Sequence, residues 1–352
     1  MLLATIASPS HPSIVRAGAP PSQPTTAPAS AQETREAFLA IIDRPRVDLA
    51  PEVTPQGVSD RGIARFHFAY SSEANQRVPG ILLAMQDILK DGKRHPVAIV
   101  LHGTSGKKEN ELDLLTALAA KDFIAVAIDA RYHGERGTQA QYNAAIAKAF
   151  AGGKSHPLYF DEVWDTMRLI DYLQSRADVD PNRIGLMGIS KGGIETWLTA
   201  AVDPRVSVAI PCISVQSFQW GLENNAWPRR VGTVQKGFDA AAASVGIVKP
   251  DAAFARTFYD RLLPGIYTTF DGPRMLPLIA PRPLLVIAGD KDPLNPMPGL
   301  HLCETPTRAA YDSAGAEDRF HILVQPNTAH AVTPDAKSAA VAWFVKWIGD
   351  PS

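Results

Sequence analysis

Five residues constrain this chain more than any others: Gly188-Ile189-Ser190-Lys191-Gly192. They follow Arg183–Met187, an apolar run that predicts a buried strand, and precede Gly193–Ala201, which predicts a helix. A chain that passes from strand to helix over a single serine must bend so sharply that side chains flanking the serine would collide with it. Glycines on both sides remove the collision and tolerate the strained backbone. The Ser190 hydroxyl is then held at the end of a sheet beside a helix N-terminus, the setting of a nucleophile elbow. The pentapeptide alone also fits an ordinary strand-to-helix turn, so the choice rests on whether partners for the serine exist.

A serine hydroxyl is a poor nucleophile unless a histidine takes its proton and a carboxylate orients that histidine. After such an elbow the acid comes next along the chain and the histidine last. Three histidines follow Ser190: His301, His321 and His330. His321 lies within the apolar run Arg319–Val324, a strand, where its side chain points into a sheet face. His301 precedes a helix predicted over Thr307–Ala314. His330 lies in a loop directly after the last strand, and open α/β sheets place their chemistry on such loops. His330 is therefore the candidate base. The acid is expected in Gly289-Asp290-Lys291-Asp292-Pro293, after the strand Leu284–Ala288. Asp292 lies farther out, within reach of a neighbouring loop, whereas Asp290 suits a turn brace; both stay in play on spacing alone.

Acyl transfer at Ser190 would develop a negative oxygen, which two backbone amides usually hold. One is the residue after the nucleophile, Lys191, at a helix N-terminus that favours anions. The other is expected in His102-Gly103-Thr104-Ser105-Gly106, after the apolar strand Val97–Leu101. Thr104 is the candidate, with Gly103 as its alternative. The Lys191 side chain, on a first helical turn, is expected to be solvated, and His102 to order its loop.

Taken together and in order, His102-Gly103-Thr104, Asp129-Ala130-Arg131-Tyr132-His133-Gly134-Glu135-Arg136, Gly188–Gly193, Gly289–Asp292 with Pro296, and His330 resemble the α/β-hydrolase fold family. Within it the chain is similar to the branch of dienelactone-hydrolase-like, acetyl-xylan-esterase-like and prolyl-oligopeptidase-like proteins, over roughly residues 60 to 350. The resemblance implies a mostly parallel, doubly wound sheet with antiparallel leading strands and a helical insertion that caps the site. It implies a serine hydrolase acting on carboxylic esters with no cofactor, and its Gly-x-x-Asp pattern places the acid at Asp292. Dienelactone hydrolases proper use cysteine where this chain has Ser190, which argues against dienelactone as substrate. A peptidase or amidase of the prolyl-oligopeptidase type, and an inactive ligand-binding homologue, are the competing expectations.

The remaining sequence sets bounds. Basic and acidic residues nearly balance, 35 against 36, with no basic patch for nucleic acid. Two distant cysteines, Cys212 and Cys303, form no disulfide framework, and no zinc-ligand spacing appears. No apolar run reaches membrane-spanning length. The expected partner is a small-molecule ester, without nucleic acid or membrane; the oligomeric state stays open. Residues 1–32 are rich in Pro and Ala and are expected to be disordered. They contain Ala29-Ser30-Ala31, which resembles a cleavage site, so location stays open between the cytoplasm and export. Residues 33–352 form the expected hydrolase domain. Ala64–Tyr70 and Val78–Ala84 predict the leading strands, with Pro79 marking an edge. Residues 213–280 form the insertion, aromatic-rich, read either as a cap or as extra core; as a cap it would put Trp220 and Trp227 in a substrate pocket.

Overall fold

The computed structural model describes residues 30–152 and 154–350. The expected disorder and cleavage site fall mostly on residues 1–29, outside the described residues. Ser30 itself is the N-cap of helix α1 (Ala31–Ile42), which starts inside the segment expected to be disordered. Its hydroxyl accepts from the Glu33 amide at 3.2 Å, and the Glu33 carboxylate accepts from the Ser30 amide at 2.7 Å. This capping box satisfies two orphan donors and starts the helix where it does.

Nine strands follow among the described residues: β1 (Glu52–Val58), β2 (Ile63–Glu73), β3 (Gln76–Met85), β4 (His95–Leu101), β5 (Ile124–Ile128), β6 (Val179–Ile189), β7 (Val206–Cys212), β8 (Leu284–Gly289) and β9 (Phe320–Gln325). They form one sheet in the order β1-β2-β3-β5-β4-β6-β7-β8-β9. The first three and the β3–β5 pair are antiparallel; every pair from β5 to β9 is parallel. Side chains of the parallel strands alternate between two apolar layers. Val97, Ile99 and Leu101 enter one layer, and Ala98 and Val100 the other. A strand buried on both faces therefore reads as a continuous apolar run.

Two expectations about the leading strands fail for identifiable reasons. Pro79 does not mark an edge, because β3 pairs with β2 and β5. The β5 ladder begins at Gly80, one residue later, so no partner needs the missing proline N–H. The true edge is β1, a third leading strand beside the two expected. All its side chains are exposed, so no apolar alternation betrays it.

The remaining helices are α2 (Leu112–Ala119), α3 (Gln139–Phe150), α4 (Phe160–Ser175), α5 (Lys191–Val202), α6 (Phe218–Glu223), α7 (Trp227–Val231), α8 (Gln235–Ser244), α9 (Ala252–Leu262), α10 (Gly272–Met275), α11 (Met297–Ser313) and α12 (Pro334–Ile348). Helix α11 starts ten residues before the expected Thr307 and runs through Pro306. Helices α1, α4 and α5 contribute Phe38, Val163 and Trp197 to one apolar layer; α2 and α12 contribute Leu115 and Phe344 to the other. Strand β4 lies between β5 and β6, so successive connections leave it in opposite directions. This switch point opens a crevice at the carboxyl ends of β4 and β6.

Candidate active site

Strand β6 ends at Ile189 and α5 begins at Lys191, leaving Ser190 alone at the bend with φ 56° and ψ −111°. A serine with positive φ is strained and persists only where its surroundings hold it. Here the Ser190 amide donates to the Cys212 carbonyl at 2.9 Å. The glycines allow the close approach that the bend requires. A Cβ on Gly188 would stand 2.1 Å from the Gly192 carbonyl oxygen, and one on Gly192 would stand 2.4 Å from the Leu101 carbonyl oxygen. Strand, bend and the loop after β4 are thus in direct backbone contact.

The structure brings Ser190, His330 and Asp292 together. Ser190 Oγ and His330 Nε2 are 2.7 Å apart, and His330 Nδ1 is 2.8 Å from Asp292 Oδ2. With Nδ1–H donating to the carboxylate, Nε2 is the lone-pair nitrogen facing the serine. Asp292 is buried. Burial pushes its pKa up, but hydrogen bonds from His330 and Asn295 and the Leu294 amide outweigh it and hold the carboxyl below its usual range. Asp290 lies elsewhere, accepting from the Thr328 amide at 3.0 Å. It braces the turn that leads to His330. His301 lies on the exposed side of α11, and His321 stacks on Trp343, so neither approaches the serine relay.

Two polar residues in this relay carried no signal in the sequence reading. Asn295 donates its side-chain amide to Asp292 Oδ2 at 2.9 Å and to the Ile213 carbonyl at 2.6 Å. Arg230, buried in α7, donates to the Asn295 side-chain oxygen at 2.6 Å and to the Leu294 carbonyl at 3.0 Å. The insertion therefore reaches the acid loop through an arginine. The spacing of Asp292 and Asn295 was the available clue, since a side chain three residues on can close an Asx-type turn.

Thr104, Ser190 and His330 line an open cavity of about 530 Å³. Lys191 opens α5, so its amide has no intrahelical acceptor. His102 holds the Thr104 loop: its Nδ1–H donates to the Gly103 carbonyl at 2.8 Å and its Nε2 accepts from the Ala130 amide at 3.1 Å. The second bond needs the neutral ring. Burial, assisted by the Lys191 charge, lowers its pKa to about 4 and keeps it neutral. Ion pairs brace the Asp129–Arg136 loop: Asp129 accepts from the Lys108 ammonium at 2.8 Å, and Arg131 donates to Asp165 at 2.9 Å.

The expectation for the Lys191 side chain is overturned. Instead of being solvated it is 1% exposed, with its ammonium 2.9 Å from Glu162 on α4 and bonded to Glu195 one turn along α5. Helix α4 covers the first turn of α5, so a lysine there has no route to water. Burial pushes Glu195 up to about 8 against the pull of Lys191, and burial raises Glu162 as well. Trp220 and Trp227 are also not where expected. Trp227 packs on Phe238, and Trp220 packs beside Gly299 of α11. The insertion contributes Gly232 and Thr233 to the cavity wall instead. Its large aromatics, Phe238, Phe254 and Phe258 among them, pack on one another as core. Among the described residues no cluster of His, Cys, Asp or Glu is arranged to hold a metal.

Residues 91–315 match the family model described as glucuronyl esterase, fungi. YtaP of Bacillus subtilis (strain 168), provisionally named a hydrolase, is 29% identical over 186 residues, 53% of this chain and 53% of its own length. The 4-O-methyl-glucuronoyl methylesterase of Hypocrea jecorina (strain QM6a) is 27% identical over 186 residues, 52% of this chain and 39% of its own. The chain thus spans about half or less of the length of these two relatives. Among solved structures, the acetyl xylan esterase from Paenibacillus sp. R4 superposes with a TM-score of 0.64 at 20% identity, over 89% of this chain and 93% of that one. At that identity the likeness speaks for the fold alone. It is the α/β-hydrolase fold, and the family match covers more than half of the sequence: the chain belongs to the glucuronyl esterase family.

Proposed function

We propose that this chain is a serine hydrolase that cleaves carboxylic esters through Ser190, His330 and Asp292. The observation that carries the reading is the unbroken relay of hydrogen bonds from Asp292 through His330 to Ser190, opening into a cavity. Ser190 Oγ attacks the ester carbonyl while His330 Nε2 takes its proton. Asp292 holds the imidazole in the tautomer that leaves Nε2 free and stabilises the imidazolium that forms. The amides of Lys191 and Thr104 receive the oxyanion, with Gly103 as the alternative second donor. His330 returns the proton to the departing alcohol, leaving an acyl-serine. Water, deprotonated by His330, then attacks the acyl carbon. The carboxylic acid departs and Ser190 regains its proton.

The Hypocrea jecorina relative is named for a glucuronoyl methyl ester. That is an ester of a saccharide acid, and a saccharide ester is the substrate class we propose here. The test is hydrolysis of p-nitrophenyl esters from acetate to octanoate by the wild type and by Ser190→Ala. Turnover that falls at least about 10³-fold in the variant is expected. Equal rates for the two proteins would sink the reading.

A further inference from the structure

The cavity at Ser190 is walled chiefly by small, apolar and hydroxyl side chains. Among the described residues, its only basic side chains are His330 and Lys337. Lys337 lies on the first turns of α12, close behind the His330 loop. No carboxylate oxygen of a described residue lies within 4.0 Å of its ammonium. Glu111, just before α2 and 5% exposed, lies within reach of the Lys337 charge and has no side-chain hydrogen bond among the described residues. Burial pushes Glu111 up to about 7, against the pull of Lys337. Near neutral pH this carboxyl is therefore only partly ionised and only partly offsets the lysine. Lys337 also borders a second groove of about 600 Å³ between α2 and α12, which carries Lys121, Lys346 and a single acid, Asp113. The positive charge at the cavity wall thus continues along an adjoining surface instead of being cancelled there.

A cation left unpaired at the wall of a reaction cavity discriminates by charge. It attracts an anionic group on an incoming molecule and gains more from it than from a neutral group of the same shape. We propose that the Ser190 cavity takes an ester bearing a free carboxylate elsewhere in the molecule, and that Lys337 is the specificity-determining residue that engages that carboxylate. The inference rests on the ester-hydrolase reading and narrows its substrate class.

Two matched substrate pairs test it. In p-nitrophenyl monoadipate and p-nitrophenyl hexanoate the acyl halves differ in a terminal carboxylate. In 4-carboxyphenyl acetate and 4-methylphenyl acetate the alcohol halves differ in the same way. The readout is the ratio of kcat/KM for the anionic over the neutral member, compared between the wild type and variants, so that intrinsic reactivity cancels. Lys337→Met is expected to lower the ratio roughly tenfold for at least one pair, and Lys337→Glu to lower it further. Lys337→Arg is expected to keep it within about threefold of the wild type, and added salt to shrink the wild-type preference. Ratios unchanged in Lys337→Met and Lys337→Glu for both pairs would overturn the inference while leaving the hydrolase reading intact. If the wild type turns over neither neutral ester and a fluorophosphonate fails to label Ser190, the hydrolase reading falls, and this inference with it.

Discussion

Replacing Lys191 by methionine removes the ammonium between Glu162 and Glu195 while keeping most of its apolar stem. In the wild type two buried carboxyls share one ammonium. Burial pushes both carboxyls up, Glu195 to about 8, so at pH 7 the pair holds one proton and one negative charge that faces Lys191. Without the ammonium, the second carboxyl must also enter the fold protonated, because an unpaired carboxylate cannot be buried there. Its ordinary value is 4.5. Holding such a group neutral at pH 7 costs roughly 3 kcal/mol. That agrees with the roughly 3–5 kcal/mol lost when one partner is removed from a buried pair. For a domain of this size the melting temperature at pH 7 should fall by roughly 5 °C. The sign of the pH dependence follows from proton counting. Above pH 4.5 the folded variant binds two more protons than its unfolded chain, one on each carboxyl, against one for the wild type, so its stability drops faster as pH rises. The first proton is common to both proteins and cancels in the comparison. The deficit should therefore grow by roughly 1 kcal/mol per pH unit and be under about 1 kcal/mol at pH 5. Calorimetry of both proteins at pH 5 and pH 7 measures it. A deficit of the same size at both pH values would refute the reasoning, and adding Glu162→Gln to the variant should abolish the pH dependence.

Asp292→Asn should lower kcat on a p-nitrophenyl ester about 10³- to 10⁴-fold by losing the tautomer that frees Nε2. Asp290→Asn should cost no more than a few-fold, because that carboxylate bonds the Thr328 amide and not His330; equal losses would reverse the assignment of the acid. Gly289→Ala would put a Cβ 2.4 Å from the Thr328 carbonyl oxygen and 2.5 Å from that of Ala329, the two residues before His330. The loop must shift, and kcat should fall about 10²-fold or more; a kcat near the wild-type value in a folded variant would show that the loop absorbs the strain without moving the histidine.

The part of the site that chemistry dictates was legible in the sequence, and the part that packing dictates was not. Ser190 stood between a strand pattern and a helix pattern, and His330 lay on the one loop that a last parallel strand can offer. Asp292 emerged from its place after β8 and from the Gly-x-x-Asp resemblance. Each of these follows from order along the chain, which a sequence displays. Lys191 does not, because its exposure is decided by α4, a helix that comes before the elbow. The spacing of Lys191 and Glu195 does read as a helical ion pair, but nothing local says that it is dry. The two tryptophans fail for a similar reason. Aromatic content announces that the insertion has a core, yet direction depends on which side of α6 and α7 meets α9 and α11. The cavity wall itself comes from Gly232 and Thr233, residues with no chemical signature at all. Strand β1 escaped because only its backbone is paired.

The proton on Glu195 matters for the chemistry as well as for the fold. With both carboxyls ionised, the buried cluster beneath α5 would carry a net negative charge close to the amide proposed to receive the oxyanion. In a poorly screened interior that charge would oppose the transition state it lies under. With one proton shared between the carboxyls, the cluster is neutral, and the positive end of α5 is the field that an oxyanion would meet. The same burial keeps His102 uncharged, so the loop that carries Thr104 is held by two neutral hydrogen bonds. A lysine buried beside the nucleophile thus works through the carboxylates it neutralises, and its own charge never has to reach the substrate.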